Sequence, residues 1–147
     1  MPDFEFRDLR PQDFAFCWPI YRDAMRPLVL EYMAWNDTAQ RDAVKAVLAD
    51  VGASILVDGG SDAGWLHVTE SRHLIHLGDL YLAPEARNKG LGTRFLKWMS
   101  ERARRKHKDL TLEVMKNNRA RFLYHRLGFG TVATEAYKFT LKLDAGG

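Results

Sequence analysis

Among 147 residues there is one cysteine, Cys17. A single thiol closes no internal disulfide and builds no multi-cysteine zinc site. Long apolar runs are also missing, so no segment is expected to span a membrane. The opening Met1-Pro2-Asp3-Phe4-Glu5 has neither a basic start nor an apolar signal core. That pattern predicts a cytoplasmic location. The sequence has no internal repeat, no low-complexity tract and no Pro/Gly linker, so residues 1–147 are expected to form one domain. No histidine pair stands at helix-face spacing beside a carboxylate, and no metal is expected. A Ser-His-Asp pattern and a nucleophile elbow are absent too. Cys17 sits within Phe14-Ala15-Phe16-Cys17-Trp18, a setting that predicts a buried structural thiol.

What is present is ordinary in bulk and uneven in distribution. With 46% hydrophobic and 28% charged residues, the chain is long enough to bury a core without staples. Its net charge of +3 hides an asymmetry. Residues 1–86 hold 7 Lys/Arg against 14 Asp/Glu, while residues 87–126 hold 13 against 3. A basic segment of this kind either faces solvent or meets an anionic partner.

Periodicity yields a mixed α/β pattern. Phe4 to Arg7 alternates as a strand. A helix from Pro11 to about Leu30 is expected to be interrupted at Pro19 and Pro27. Asp37-Thr38 is read as the cap of a second helix through about Ala49. Ser54 to Val57 and Gly64 to Thr69 read as strands around a turn at Asp58-Gly59-Gly60. His73 to Leu82 is apolar on both faces, as a central strand is. A helix from Gly92 to about Lys106 follows, then a strand through Leu110, Leu112 and Val114. Asn118 to Leu127 reads as a short helix ended by Gly128, and Tyr137 to Leu143 as a late strand. The expected order is βααβββαβα and then one or two strands, a sheet covered by helices.

The loop Ala83-Pro84-Glu85-Ala86-Arg87-Asn88-Lys89-Gly90-Leu91-Gly92-Thr93 carries the strongest chemical signal. Pro84 stops a strand and two glycines lead into a helix. Glycine permits close backbone approach and positive φ. The first helical turn offers amides and the positive dipole end to an anion. Arg87 and Lys89 add charge. The loop lacks the Lys-Ser/Thr pair of a Walker A motif, and Phe95 stands where a dinucleotide fingerprint needs its third glycine.

Arg87-x-x-Gly90-x-Gly92 after an apolar strand resembles motif A of the GNAT acetyltransferases. Asn117-x-x-Ala120-x-x-x-Tyr124-x-x-x-Gly128-Phe129 resembles that family's second signature at every fixed position. The likeness is firm over about residues 54–143 and loose before them. It implies the GNAT fold: a central sheet of about six to seven strands, about four helices, and a splayed strand pair that holds CoA. It implies acetyl-CoA as cosubstrate and an amine of a small molecule or peptide as acceptor, attacked directly in a ternary complex. The amides of Arg87, Asn88, Lys89, Gly90, Leu91, Gly92 and Thr93 would then grip the pyrophosphate. The backbone at Leu80, Tyr81 and Leu82 would pair with the pantetheine arm, and an N–H there would stabilise the thioester oxyanion. Asn117 would bind the same arm, with Ala120 beside it.

By the same resemblance Tyr124 is the general acid for the departing thiolate. The family's usual Glu on the central strand is replaced by His76. A subset resembling the polyamine acetyltransferases places acids near Asp79, with Gly78 where that subset has Glu. His76, Asp79 and water alone all remain candidates for proton removal, and His67, His73, His107 and His125 carry no assignment. The acidic and aromatic stretch Glu31-Tyr32-Met33-Ala34-Trp35-Asn36-Asp37, with Thr134 to Tyr137, suits a cationic acceptor. Arg22 and Arg26 point instead to an acceptor bearing a carboxylate. GNAT relatives are often homodimers. Two other classes compete: a CoA-binding protein of this fold without catalysis, and a nucleic-acid binder using Arg102 to Lys108. The latter cluster is short and lacks a reader motif, so no nucleic-acid partner and no membrane partner is expected.

Overall fold

In the computed structural model, which describes residues 3–145, eleven regular elements follow one another. They are β1 (Phe4–Asp8), α1 (Phe14–Leu30), α2 (Asp37–Leu48), β2 (Ala53–Asp58), β3 (Ser61–Glu70), β4 (Leu74–Leu82), α3 (Leu91–Arg105), β5 (Asp109–Met115), α4 (Ala120–Arg126), β6 (Gly130–Thr134) and β7 (Lys138–Leu143). Met1 and Pro2, part of the segment read for a leader, lie outside the described residues, as do Gly146 and Gly147. The strands form a seven-stranded mixed sheet in the order β1-β2-β3-β4-β5-β7-β6. The β4–β5 pair is parallel, whereas β1–β2, β2–β3, β5–β7 and β6–β7 are antiparallel. The expected element order and fold class are present. No helix among the described residues is long and apolar enough to cross a membrane.

Several boundaries differ from expectation. Helix α1 runs unbroken through Pro19 and Pro27. A helical proline forfeits one backbone bond and costs about 3 kcal/mol, but Cys17, Trp18 and Ile20 around Pro19 are all buried, and that packing offsets the loss. The cap of α2 is Asn36, whose side-chain oxygen accepts from Ala39 N at 2.9 Å. Asp37 stands instead in the first turn, where its charge favours the helix dipole. Helix α3 starts at Leu91, one residue earlier than its glycines suggested, with Gly90 as N-cap. Helix α4 is shorter than expected. β6 completes a hairpin with β7 whose register shifts between Thr131 and Ala133.

The described residues fall into two compact units: the chain up to His67 together with Asp79–Lys89, and Val68–Gly78 together with the chain from Gly90 onward. The first is built on a core of Cys17, Trp18, Val44, Ile55 and Trp65. Trp65 Nε1 donates to the Cys17 carbonyl at 3.2 Å, which satisfies an indole buried completely. Burial pushes the Cys17 thiol up to about 12, so it is an inert packing group. Gly59 and Gly60, at φ 60° and 81°, form the two-residue turn between β2 and β3 that requires positive φ at both positions.

Arg7 ties three segments of this unit together. Its guanidinium donates to Asp13 Oδ1 and Oδ2 at 2.9 Å each, and to Asp62 Oδ1 and Oδ2 at 3.1 and 2.8 Å. Asp13 also accepts from Arg10 N at 2.8 Å. These bonds hold the Asp13 carboxyl below its ordinary value and compensate its burial. One residue past Asp62 the β2–β3 register slips, Leu56 facing Gly64 and Val57 facing Asp62. A Cβ on Gly64 would lie 2.3 Å from the Tyr81 carbonyl oxygen and 3.1 Å from Leu82 Cα. This is a close approach that only glycine allows.

In the second unit β5 is the central strand. Leu74–Leu77 pair with Asp109–Leu112, and Leu110–Met115 pair with Lys138–Leu143. Leu110, Leu112, Val114 and Leu141 are buried, as are Leu91, Phe95, Leu96, Met99 and Ala103 along one side of α3. That spacing is the apolar stripe of an amphipathic helix.

Gly64→Ala is expected to destabilise the protein by about 3 kcal/mol, because the obstructing atoms are backbone and cannot rotate away. Chemical denaturation at pH 7 checks this, and a loss below about 1 kcal/mol contradicts the close approach.

Candidate active site

The loop after β4 is shaped by its own backbone. Ala83 N donates to the Ala63 carbonyl at 2.8 Å, and Pro84–Ala86 then turn as a single 3-10 segment. Arg87 is extended (φ −77°, ψ 157°) and folds its Nε back to the Leu82 carbonyl at 3.0 Å, so its side chain braces the loop. Asn88 and Gly90 both adopt positive φ, 60° and 80°. Gly90 caps α3 without any side-chain cap bond, and the first helical bond runs from Arg94 N to Gly90 O at 3.0 Å. The amides of Leu91, Gly92 and Thr93 belong to the turn that a helix leaves without internal acceptors. A Cβ built on Gly90 meets no atom within 4 Å, so the space before this turn is open. Two left-handed residues directly precede this bare helix start, a backbone pattern of the kind that receives phosphate groups, and its amide donors suit the diphosphate of CoA.

Strand β4 continues to Leu82, beyond its last β5 partner at Leu77. Leu80, Tyr81 and Leu82 are half-buried. The Tyr81 ring packs at 5.1 Å on Trp65 and edge-on at 5.2 Å against Tyr21. Tyr21 donates its hydroxyl to Gln40 Oε1 at 2.6 Å. Burial raises the Tyr21 phenol above its ordinary value, and the negative charge of Asp79 adds to the effect. Asp79 Oδ2 lies 3.9 Å from His67 Nδ1, while His67 Nε2 stands 2.8 Å from Asp50 Oδ2. This Asp50–His67–Asp79 arrangement was not legible in the sequence. Its only signal is that β2 begins three residues after Asp50 and that Ala53 faces His67, a register known only once the strands are paired.

His76 is half-buried between the buried Ile75 and Leu77, with Nδ1 at 2.8 Å from Thr111 Oγ1. Asn117 and Asn118 form the turn into α4, where Asn118 Oδ1 accepts from Ala120 N at 2.9 Å. Tyr124 is half-buried and meets the Phe129 ring at 6.0 Å, edge to face. Burial pushes its phenol above the ordinary value, so it stays protonated at neutral pH. Gly128, at φ 103°, ends the helix in the left-handed conformation and turns Phe129 inward, where it is buried. Within the second signature, Gly128 and Phe129 are thus structural residues.

Other expected contributors have partners of their own. The Trp35 ring packs at a tilt against Trp18 at 6.3 Å and Tyr21 at 6.1 Å, and donates to Asp37 at 3.2 Å. Arg22 pairs with Asp23. Glu135 N closes the β6–β7 hairpin on the Lys138 carbonyl at 2.8 Å. In the basic segment Lys106, Lys108 and Arg102 converge on Glu70, and Arg104 pairs with Glu101. These four cations thus have carboxylate partners within the chain. A separate cavity of about 580 Å³, lined by residues including Leu9, Phe14, Lys45 and Leu48, contains none of the expected site residues. Among the described residues no His, Cys, Asp and Glu group is arranged to hold a metal ion.

A family model described as the acetyltransferase (GNAT) family matches residues 4–129. The structure is similar to PaiA N-acetyltransferase of Thermoplasma acidophilum in complex with coenzyme A, at 16% identity and TM-score 0.71, covering 96% of this chain and 98% of that one. It is similar to the ribosomal-protein-S18-alanine N-acetyltransferase of Escherichia coli, at 17% identity and TM-score 0.66, covering 97% and 94%. It also resembles YncA of Salmonella typhimurium with its cofactor acetyl-CoA, at 21% identity and TM-score 0.60, covering 97% and 94%. At these identities the likeness to solved structures is one of fold. No curated protein matches the chain by sequence.

The Glu70 cluster has a pH signature. Hydrogen bonds from Lys106 and Lys108 hold the Glu70 carboxyl at about 2, against an ordinary 4.5. A depressed acid stabilises the fold above its unfolded value, and the contribution is lost as pH falls through the folded one. Wild type is therefore expected to exceed Glu70→Gln in stability at pH 7, with the gap closing between about pH 4.5 and 2. Denaturation of both proteins across that range checks it, and a gap that persists at pH 2 contradicts it.

Proposed function

Because this chain belongs to the acetyltransferase (GNAT) family, we propose that it transfers the acetyl group of acetyl-CoA to a primary amine of a small molecule or peptide. The observation that carries the reading is the loop from Arg87 to Thr93. Its left-handed Asn88 and Gly90 and its bare helix start supply the amides that a diphosphate needs. Acetyl-CoA, when bound, supplies the activated thioester. The chain's own residues hold it and manage protons.

Arg87 through Thr93 grip the pyrophosphate, and Arg87 keeps the loop in shape through Leu82. Leu80, Tyr81 and Leu82 offer main-chain groups to the pantetheine arm, as an added strand would use them. A backbone N–H there holds the thioester oxygen as charge develops on it. Asn117 bonds the same arm and Ala120 leaves room beside it. Tyr124, kept protonated by burial, donates its proton to the departing sulfur. The acceptor must lose a proton before its nitrogen attacks, and β4 offers His76 and Asp79 for that step. The aromatic and acidic N-terminal third, with Trp35 beside Asp37, favours a cationic acceptor.

Two expected outcomes test this reading. Gly90→Val should weaken acetyl-CoA binding at least about tenfold, as befits one or two charge-assisted hydrogen bonds at about 1.5–3 kcal/mol each. Isothermal titration measures it, and unchanged affinity removes the loop from the cosubstrate site. Tyr124→Phe should lower kcat by about 10²–10⁴ with little change in that affinity. Thiol release from acetyl-CoA, followed over polyamines, amino acids and lysine peptides, supplies the rate. Turnover equal to wild type reduces Tyr124 to a packing group.

A further inference from the structure

The cavity of about 580 Å³ lies wholly within the first unit, where the start of α1 meets the end of α2. Pockets that hold small ligands run from about 300 to 1,000 Å³, with apolar walls and a few polar groups that fix orientation. Here Leu9, Pro11, Phe14 and Leu48 supply the apolar wall, and Arg10 and Lys45 supply the polar groups. Leu9, Phe14 and Leu48 pack on the core of the unit and yet are only half-buried. Each therefore keeps apolar surface in contact with water, and covering that surface is favourable.

The polar groups are all cations. Lys45 Nζ lies 5.2 Å from the centroid of the Phe14 ring. Arg41 Cζ lies 5.2 Å from the same centroid and 5.4 Å from that of Trp18, which stacks on Phe14 at 6.2 Å. One aromatic pair thus draws in two positive charges, and these repel each other. Among the described residues neither Lys45 nor Arg41 forms an ion pair. Arg10 adds a third charge. Its Nε is 3.9 Å from Asp13 Oδ2 and its side chain is 58% exposed, a separation beyond hydrogen-bond reach. Asp13 is committed elsewhere, accepting two bonds from Arg7 and one from Arg10 N. No carboxylate lines the cavity, and Asp42, one turn before Lys45 on α2, is exposed and outside the lining.

We propose that this cavity binds a small amphipathic carboxylate, with its apolar body against Leu9, Phe14 and Leu48 and its anionic end held by Lys45 and Arg10. The apolar body covers the wall that the core leaves wet. The carboxylate accepts charge-assisted hydrogen bonds and offsets the repulsion among the cations. A neutral molecule with the same body leaves that repulsion in place, and a cationic one adds to it, so charge sets the order of affinity. Alkyl and aryl acids share this chemistry. The site stands apart from acetyl transfer, since none of its residues belongs to the loop before α3 or to either signature.

Isothermal titration of the full chain tests the alkyl form with octanoate and the aryl form with 2-naphthoate. At least one acid should bind, with octan-1-ol at least about tenfold weaker than octanoate if the alkyl acid is the ligand, and octylammonium weaker still. Lys45→Gln should weaken the acid about tenfold, and the double variant with Arg10→Gln should weaken it further. Ala49→Trp fills the cavity from an exposed lining position and should abolish binding. Its denaturation midpoint should stay near that of wild type, and the acid should raise the midpoint of wild type alone. Backbone NMR shifts on adding the acid should gather on residues 9–14 and 45–49. Binding of neither acid overturns the site, as does binding that Lys45→Gln and Ala49→Trp both leave unchanged. Equal affinity for octanoate and octan-1-ol overturns the selection of a carboxylate. A concentration-dependent dimer that Ala49→Trp abolishes gives the cavity to a second copy of the chain and overturns the small ligand. Thiol release from acetyl-CoA, measured separately, leaves each of these outcomes readable whether or not acetyl transfer occurs.

Discussion

At Gly64 the backbone of β3 passes so close to the end of β4 that an added Cβ would stand 2.3 Å from the Tyr81 carbonyl. The consequences spread along both strands. Ala63 accepts from Ala83 N, which sets where β4 stops and its loop begins. Tyr81 lies on Trp65, so its ring is locked into the core of the first unit. Two residues back, Asp79 comes opposite His67. The approach is held by polar contacts a few residues away. Arg7 grips Asp62 beside the register slip and Asp13 ahead of α1, joining β1, β3 and the first helix through one guanidinium.

The proposed function rests on backbone conformation in the loop before α3 and on side-chain protonation elsewhere. The loop from Arg87 to Gly90 holds two left-handed residues, the kind of bend in which successive amides turn to one side. Arg87 contributes through its contact with Leu82 as well as through its charge. Burial holds the Tyr124 phenol above its ordinary value. The same low-polarity surroundings that make a phenol reluctant to ionise make it a donor at neutral pH. The cations of the basic segment have a different task. Lys106, Lys108 and Arg102 gather on Glu70, so they fasten the end of α3 to the end of β3.

Sequence reading was reliable where the chemistry is local. Glycine marks the turns at Gly59, Gly60 and Gly90, alternation belongs to strands, and Gly128 after a short helix is a stop signal, whereas the positive φ of Asn88 had no such mark. Each mark was readable from neighbouring residues, and the two signatures could be recognised for the same reason. Boundaries failed where a local preference met packing. Pro19 and Pro27 should break a helix, yet the burial of Cys17, Trp18 and Ile20 keeps α1 whole. Asn36 outcompetes Asp37 as a cap because its extended backbone aims the side chain at Ala39 N.

The sequence by itself determined the order of elements, the glycine-rich helix start at residues 87–93 and the placing of Asn117 and Tyr124 in one motif, because residues adjacent in the chain dictate each of these. Tertiary structure decided which histidine meets a carboxylate. His67 and Asp50 are 17 positions apart and His67 and Asp79 are 12 apart, and only strand register brings them to one place. The same holds for Arg7 with Asp62, separated by 55 positions. Contacts of this range depend on a sheet register that is set by the sum of many weak packing preferences along paired strands, and no short stretch of sequence encodes that sum.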